Sequence, residues 1–222
     1  SVLFLVSAGN SARKVRIERP WGEFAASSRE ELQQHIVKAI AADARHRRLL
    51  SPAEAVNAIT VGATHEDGDS APLRPNWIDP AASGFPSPIN AQGQGYKRSV
   101  KPDVLAPGGR VALVRPMLDS ATELSLPRVS YGPGQLVATP GAAGGDLGAV
   151  VPSRGTSNAT ALMSRAAALL VPVLAELRES EGGEAFDQVA EALWLKALLV
   201  HGARWGAAGD AYLSLFKNLD AG

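Results

Sequence analysis

Residues 154–160 read Arg-Gly-Thr-Ser-Asn-Ala-Thr and run straight into the apolar stretch ALMSRAAALLVPVL. Three chemistries fit these letters. Ser157 would suit a nucleophile if the stretch is a helix, because unpaired first-turn N–H groups and the helix dipole favour negative charge developing beside it. The same hydroxyl fits an N-cap, the usual role of Ser or Thr ahead of an apolar helix. Asn158-Ala159-Thr160 meets the N-glycosylation pattern, although in the first turn of a buried helix it would be poorly accessible. Gly155 permits a close backbone approach, and Ala159 would keep the second turn thin enough for a substrate carbonyl to come near. Asn10, which closes SVLFLVSAGN, is the other residue with chemical reach. At a strand end it could face a ligand, or it could simply form a turn.

A serine nucleophile needs a general base, normally a histidine held by a carboxylate. The chain has four histidines, His35, His46, His65 and His201. His35 and His46 fall in a surface helix, the latter in RHRR, where a basic helix C-terminus explains it. His65 lies in THEDGDS, whose carboxylates lack EF-hand spacing and read as an ordinary polar turn. His201 reads as a helix-end residue.

These residues need a scaffold that sets a strand end beside a helix start. Val2 to Val6 is a continuous apolar run stopped by Ser-Ala-Gly-Asn, which predicts a parallel strand buried on both faces. Asn10 then falls at its C-terminal end, the edge where open parallel sheets bind ligands. In SSREELQQHIVKAIAADARHRRLL, Ser28 and Glu31 form a capping box, and Leu32, Ile36, Ala39 and Ile40 share one helical face. AVNAITVGAT, residues 55–64, predicts a second buried strand, and the order strand, helix, strand predicts a parallel sheet. The Pro- and Gly-rich segment from Ser70 to Gly95 predicts a long irregular surface loop. KPDVLAPGGRVALV predicts strands about Asp103 to Ala106 and Val111 to Val114 around a Pro107-Gly108-Gly109 turn, and residues 115–154 are turn-rich. Thr156 to about Leu177 predicts a nearly all-apolar core helix with Arg165 as its lone early charge, and EAFDQVAEALWLKALLVHGA predicts another helix.

The bulk composition narrows the function. With 222 residues, 45% of them apolar, the chain can build one substantial core. Its 22 basic and 22 acidic side chains cancel, which argues against nucleic-acid binding but leaves room for a local basic patch. The absence of cysteine excludes disulfides and thiolate metal sites. SVLFLV lacks the basic flank and cleavage site of a signal sequence, and no transmembrane segment is expected, since charges or prolines interrupt the longest apolar runs.

Three islands, VLFLVSAGN, then AVNAITVGAT with KPDVLAPGG, then RGTSNATALMSRAAALL, resemble in this order the subtilisin-like serine proteases, and they span almost the whole chain. The last matches the family pattern Gly-Thr-Ser-x-Ala-Ser/Thr, and LKALLVHGARW is similar to the family's penultimate helix. The resemblance implies an α/β fold, three-layered α/β/α with a mostly parallel sheet, truncated at its N-terminal side. Residues 1–222 would then form one partial peptidase domain. It implies Ser157 as the acyl-forming nucleophile and Asn10 as the oxyanion donor, with Gly9, Gly155 and Thr156 lining the substrate. In subtilisin, removing such a donor costs about 10² to 10³ in turnover.

The family's Asp and His both precede its asparagine, and only nine residues precede Asn10. Peptide-bond hydrolysis is therefore expected of a parent protein and not of this chain alone; the alternative is a catalytically dead interaction module on the same fold. The related sedolisin group has an aspartate where this chain has Asn10. The partners implied are a peptide or protein substrate, an upstream segment of the same polypeptide, and further copies associating through exposed apolar edges. No cofactor and no metal are implied, although family members can carry calcium. Ala161 replaces the proline that commonly follows the serine motif, and Asn90-Ala91-Gln92-Gly93-Gln94 replaces Ser-x-x-Gly-Pro. The long separation of Asn10 from Ser157 implies insertions around residues 11–50 and 115–150 that shape substrate access.

Overall fold

The computed structural model describes residues 1–67, 73–115, 122–127, 132–142 and 145–217. The end of THEDGDS and much of the insertion expected around 115–150 lie outside the described residues. In chain order, β1 (Leu5–Ser7) and β2 (Val15–Ile17) precede the helices α1 (Trp21–Ala25) and α2 (Arg29–Ala42). β3 (Ile59–Thr64) leads through the short strands β4 (Trp77–Ile78), β5 (Gly93–Gln94) and β6 (Val100–Lys101) to β7 (Val104–Pro107). β8 (Leu113–Val114), β9 (Thr122–Leu124), β10 (Gln135–Ala138) and β11 (Val150–Ser153) then precede α3 (Thr156–Glu179), α4 (Glu191–His201) and α5 (Ala207–Lys217).

The fold is α/β. Its centre is a parallel sheet ordered β1-β3-β7, with Leu5 opposite Ile59 and Val61 opposite Val104. Antiparallel pairs β2-β9, β4-β8, β5-β6 and β10-β11 surround it. Alternation sorts β3 into two faces: Ile59, Val61 and Ala63 join Val104, Ala106, Ala159, Ala167 and Leu199 in one core. A second core forms around the 11–50 insertion, where Val15 and Ile17 meet Phe24, Ile36, Val111, Leu113 and Leu124. Leu32, Ala39 and Ile40 pack against it along the expected face of α2, and Ser28 with Glu31 closes both bonds of the capping box.

Several boundaries differ from expectation for identifiable reasons. Val2 and Phe4 are 73% and 63% exposed, because β1 has a paired strand on one side only among the described residues. α3 is not buried all round: Ala159, Ala167 and Leu174 face inward, while Leu169 and Val173 are 58% and 45% exposed. It is also long and apolar enough, by length and composition, to cross a membrane, with a hydropathy of 1.5, contrary to expectation. Arg165 and Pro172 do not lower its mean hydropathy enough, and its inward face lies on β1, β3 and β7. The expected second helix is broken after a 3₁₀ turn at Gly183–Phe186, where the Phe186 ring meets Trp194 at 4.8 Å and the Trp194 indole N–H donates to the Phe186 carbonyl.

Two buried polar residues tie the sheet to its surroundings. Asn90, 5% exposed, accepts the Ala63 N–H at 2.9 Å and donates to the Ala63 carbonyl at 2.8 Å, acting as one link of an absent strand. Arg47, 2% exposed and so not part of a solvated RHRR end, donates to the carbonyls of Pro88, Arg13 and Lys14 and to Asp43. It thereby pins the 11–50 insertion to the segment around Asn90. Replacing Asn90 with Ala leaves the buried Ala63 N–H unpaired, while the Ala63 carbonyl keeps the Ser87 N–H at 2.8 Å, and should cost about 1 to 3 kcal/mol. Urea unfolding monitored by circular dichroism would read this as a lower midpoint at unchanged slope.

Candidate functional site

The C-terminal ends of β1, β3 and β7 converge on the start of α3. Beyond β1 the chain runs antiparallel to residues 89–91: Ser11 N–H donates to the Ile89 carbonyl at 2.7 Å and Ala91 N–H to the Gly9 carbonyl at 2.9 Å. Gly9 turns there with φ +102°, a conformation that favours glycine, and this sends Asn10 out of the strand into solvent. Gly155 N–H donates to the Gly108 carbonyl at 2.7 Å. Gly108 N–H in turn donates to the Thr64 carbonyl at 3.2 Å, so strand ends and helix start are joined backbone to backbone.

All five expected site residues come together here. Thr156 N–H donates to Asn10 Oδ1 at 2.9 Å, Thr156 Oγ1 lies 3.3 Å from the same oxygen, and Gly9 N–H donates to Thr156 Oγ1 at 3.1 Å. Thr156 is fully buried. Gly155 has φ +143°, and a Cβ there would sit 2.8 Å from Asn10 Nδ2. Fixing Oδ1 on the helix leaves Nδ2 without a hydrogen-bond partner among the described residues.

The helix start removes one of the three readings of Ser157. Gly155 occupies the N-cap, with no side-chain cap bond, so Ser157 is not the cap. Of the first four N–H groups, Thr156 donates to Asn10, while Asn158 and Ala159 donate to the Gly155 carbonyl at 3.1 and 3.5 Å. That of Ser157 has no acceptor among the described residues, and the Ser157 side chain is exposed with no partner there either. Asn158 is partly buried, and its Oδ1 accepts from Ser153 Oγ at 3.1 Å. Ala159 is fully buried against the sheet, so its small size serves helix–sheet packing and not the approach of a carbonyl.

None of the four histidines hydrogen-bonds Ser157. His35 lies beside Phe24, His46 is exposed and bonds Asp43, and His201 is exposed at the end of α4. His65 is the correction: it is 1% exposed and no polar-turn residue. Its Nδ1 accepts the Val111 N–H at 3.3 Å, which fixes the proton on Nε2, and Nε2 donates to Asp79 Oδ1 at 2.6 Å. Asp79 also faces Arg29 and Arg110 at 3.5 and 3.6 Å, and Arg110 meets Asp67 at 3.2 Å. The sequence held no local sign of this pair, because Asp79 is 14 residues away. Among the described residues no cluster of three or more His, Asp or Glu is arranged to hold a metal ion.

Two predictions follow from this geometry. Gly155→Ala places a methyl against the Asn10 amide and adds left-handed strain, and should lower stability by about 1 to 3 kcal/mol in urea unfolding. Burial pushes the Asp79 carboxyl up, but the His65 hydrogen bond, the His65 ring and the Arg29 and Arg110 charges outweigh it and hold the group below the usual carboxylate range. A depressed folded-state value contributes stability that is complete above the unfolded pKa of about 3.9 and is lost as pH falls through the folded value. Asp79→Asn should therefore destabilise the chain near neutrality and flatten the acid limb of its stability profile; an unchanged limb would assign that dependence to other carboxylates.

Neither curated proteins nor solved structures gave a match to the chain. A family model did, over residues 1–217, and it covers the strand-end asparagine, the paired glycines and the serine at the helix start together. The chain belongs to the subtilase family, peptidase S8, a family of serine proteases.

Proposed function

We propose that Ser157 is the nucleophile of a subtilase-type endopeptidase and that Asn10 Nδ2 and the Ser157 N–H are its oxyanion donors. The observation that carries this reading is the donor accounting at the start of α3. Ser157 N–H is the one first-turn donor without an acceptor among the described residues, and Asn10 is anchored by its oxygen so that its N–H₂ is spare. In the reaction, Ser157 Oγ attacks the scissile carbonyl carbon and passes its proton to a histidine base. The tetrahedral oxyanion is held by the two donors, and its collapse expels the amine, which takes that proton. Water then hydrolyses the acyl-serine. Gly9 and Gly155 form the wall beside the substrate carbonyl, and Thr156, buried behind it, orients Asn10.

The base is the part this chain does not bring to Ser157, and we assign it, with its Asp, to an upstream segment of the same polypeptide. The 222-residue chain by itself is then unreactive. A fluorophosphonate probe should label Ser157 only when a segment carrying that Asp and His is present, and Ser157→Ala should abolish the labelling. Asn10→Ala should slow it by about 10² to 10³. Efficient labelling of the chain alone would overturn the divided-base reading. No labelling of the longer protein would leave a subtilase-fold interaction module that has lost catalysis.

A further inference from the structure

The chain carries no net charge, yet its cations are not spread evenly. A groove of about 490 Å³ runs between β2 and α2, lined by Arg13, Lys14, Arg16, Lys38 and Arg45 against the carboxylates Glu18 and Asp43. Its layout follows from two periodicities. On β2, Val15 and Ile17 point into the core while Arg16 points out. On α2, His35, Lys38, Ala39 and Ala42 recur at helical spacing along one stripe, the two alanines leaving a low floor between charged rims.

Part of this charge is already paired and part is not. Asp43 is shared by Arg13 at 2.8 Å, Arg47 at 3.2 Å and His46 at 2.7 Å, and Lys14 meets Glu123 of β9 at 2.8 Å. The Arg13 hydrogen bond is the main reason the Asp43 carboxyl is pulled down to about 2. Arg16, Lys38 and Arg45 are exposed and make no hydrogen bond or close ion pair among the described residues, although Arg16 stands opposite Glu123 on β9 and its charge acts on that carboxylate; Glu18 is the one unpaired carboxylate at the rim. His35 reports the same field: burial first, then Arg19 and Lys38 lower its pKa, against Glu31. Arg13 follows Asn10 by three residues, so its Cα lies within about 11 Å of the oxyanion donor.

We infer that the β2–α2 groove is a subsite for an acidic stretch of the polypeptide substrate, held in extended form beside the scissile bond by Arg16, Lys38 and Arg45. The groove's floor is small-residued and its unspent charge is positive, which selects carboxylates. The identity of the polymer as peptide rests on the endopeptidase reading; the preference for anions rests on the groove itself. A duplex or single-stranded nucleic acid is the less favoured occupant, because the chain as a whole has no excess of positive charge.

The experiment uses the 222-residue chain, a fluorescein-labelled oligoglutamate and a matched oligoglutamine, read by fluorescence anisotropy. Oligoglutamate should bind at least about tenfold tighter than oligoglutamine at low salt, and should weaken by about tenfold between about 0.05 and 0.5 M salt. Arg16→Glu, Lys38→Glu and Arg45→Glu combined should weaken it by about tenfold or more, while Arg204→Glu on the α4–α5 connection should leave it unchanged. Equal affinity for both peptides, indifference to salt, or full binding by the triple variant would overturn the inference. Tighter binding of single-stranded DNA than of oligoglutamate would overturn the peptide assignment. The readout involves no turnover, so failed fluorophosphonate labelling would remove the nucleophile reading and leave the binding result standing, and the reverse holds as well.

Discussion

At the C-terminal edge of the sheet, backbone must touch backbone, and the rest of the site depends on that contact. A Cβ on Gly108 would lie 2.3 Å from the Ala63 Cβ and 3.0 Å from the Gly155 carbonyl, and one on Gly155 would lie 2.8 Å from Asn10 Nδ2. Four segments far apart in sequence, those of Asn10, Ala63, Gly108 and Gly155, therefore meet where neither glycine could carry a side chain. A side chain at either glycine would push α3 off the strand ends. At Gly108 glycine is a requirement of distance alone, and at Gly155 of distance and of a φ of +143°.

The contact fixes chemistry because hydrogen bonds close around it. Gly9 N–H, Thr156 Oγ1, Asn10 Oδ1 and Thr156 N–H form a small ring of donors and acceptors at 2.9 to 3.3 Å. Rotation of the Asn10 side chain would break two of these bonds, so the amide is oriented before any substrate arrives. Catalytic donors act most strongly when no reorganisation is left to be done during reaction. Thr156, fully buried, therefore acts through Asn10 and not by direct contact with substrate.

The sequence was most legible where the physics is local. The Ser28–Glu31 capping box, the apolar face of α2, the turn at Gly108-Gly109 and the helix beginning at Thr156 are all set by neighbours within a few residues. The positions of Asn10 past a strand end and of Ser157 in a helix's first turn were legible because a strand end and a helix start each carry a short signature. The misreadings share one cause. RHRR reads as a basic helix end, with no sign that Arg47 within it is buried, and His65 reads as a turn residue, because their partners, Pro88 and Asp79, are 41 and 14 residues away. Asn90, in a segment read as loop, works as part of a sheet for the same reason. α3 reads as core because composition reports apolarity and not which side is covered.

The exposed side of α3 bears on the site at its other end. Near its start the helix lies close on the sheet because the residues buried there, Ala159 and Ala167, are small, while Leu174 fills the wider gap further along. Leu162, Leu169, Val173 and Leu177 remain outward, each 38% to 58% exposed. Fully covering one such side chain is worth about 1.5 to 3 kcal/mol, comparable with a large part of a domain's net stability. Whatever covers that face, a further segment or a second copy, stabilises the helix whose first turn carries Ser157. Cover of α3 and placement of Ser157 are thus energetically linked through one element, and the hydrogen-bond ring at Asn10 gains rigidity from the far side of the helix as well as from the strands beneath it.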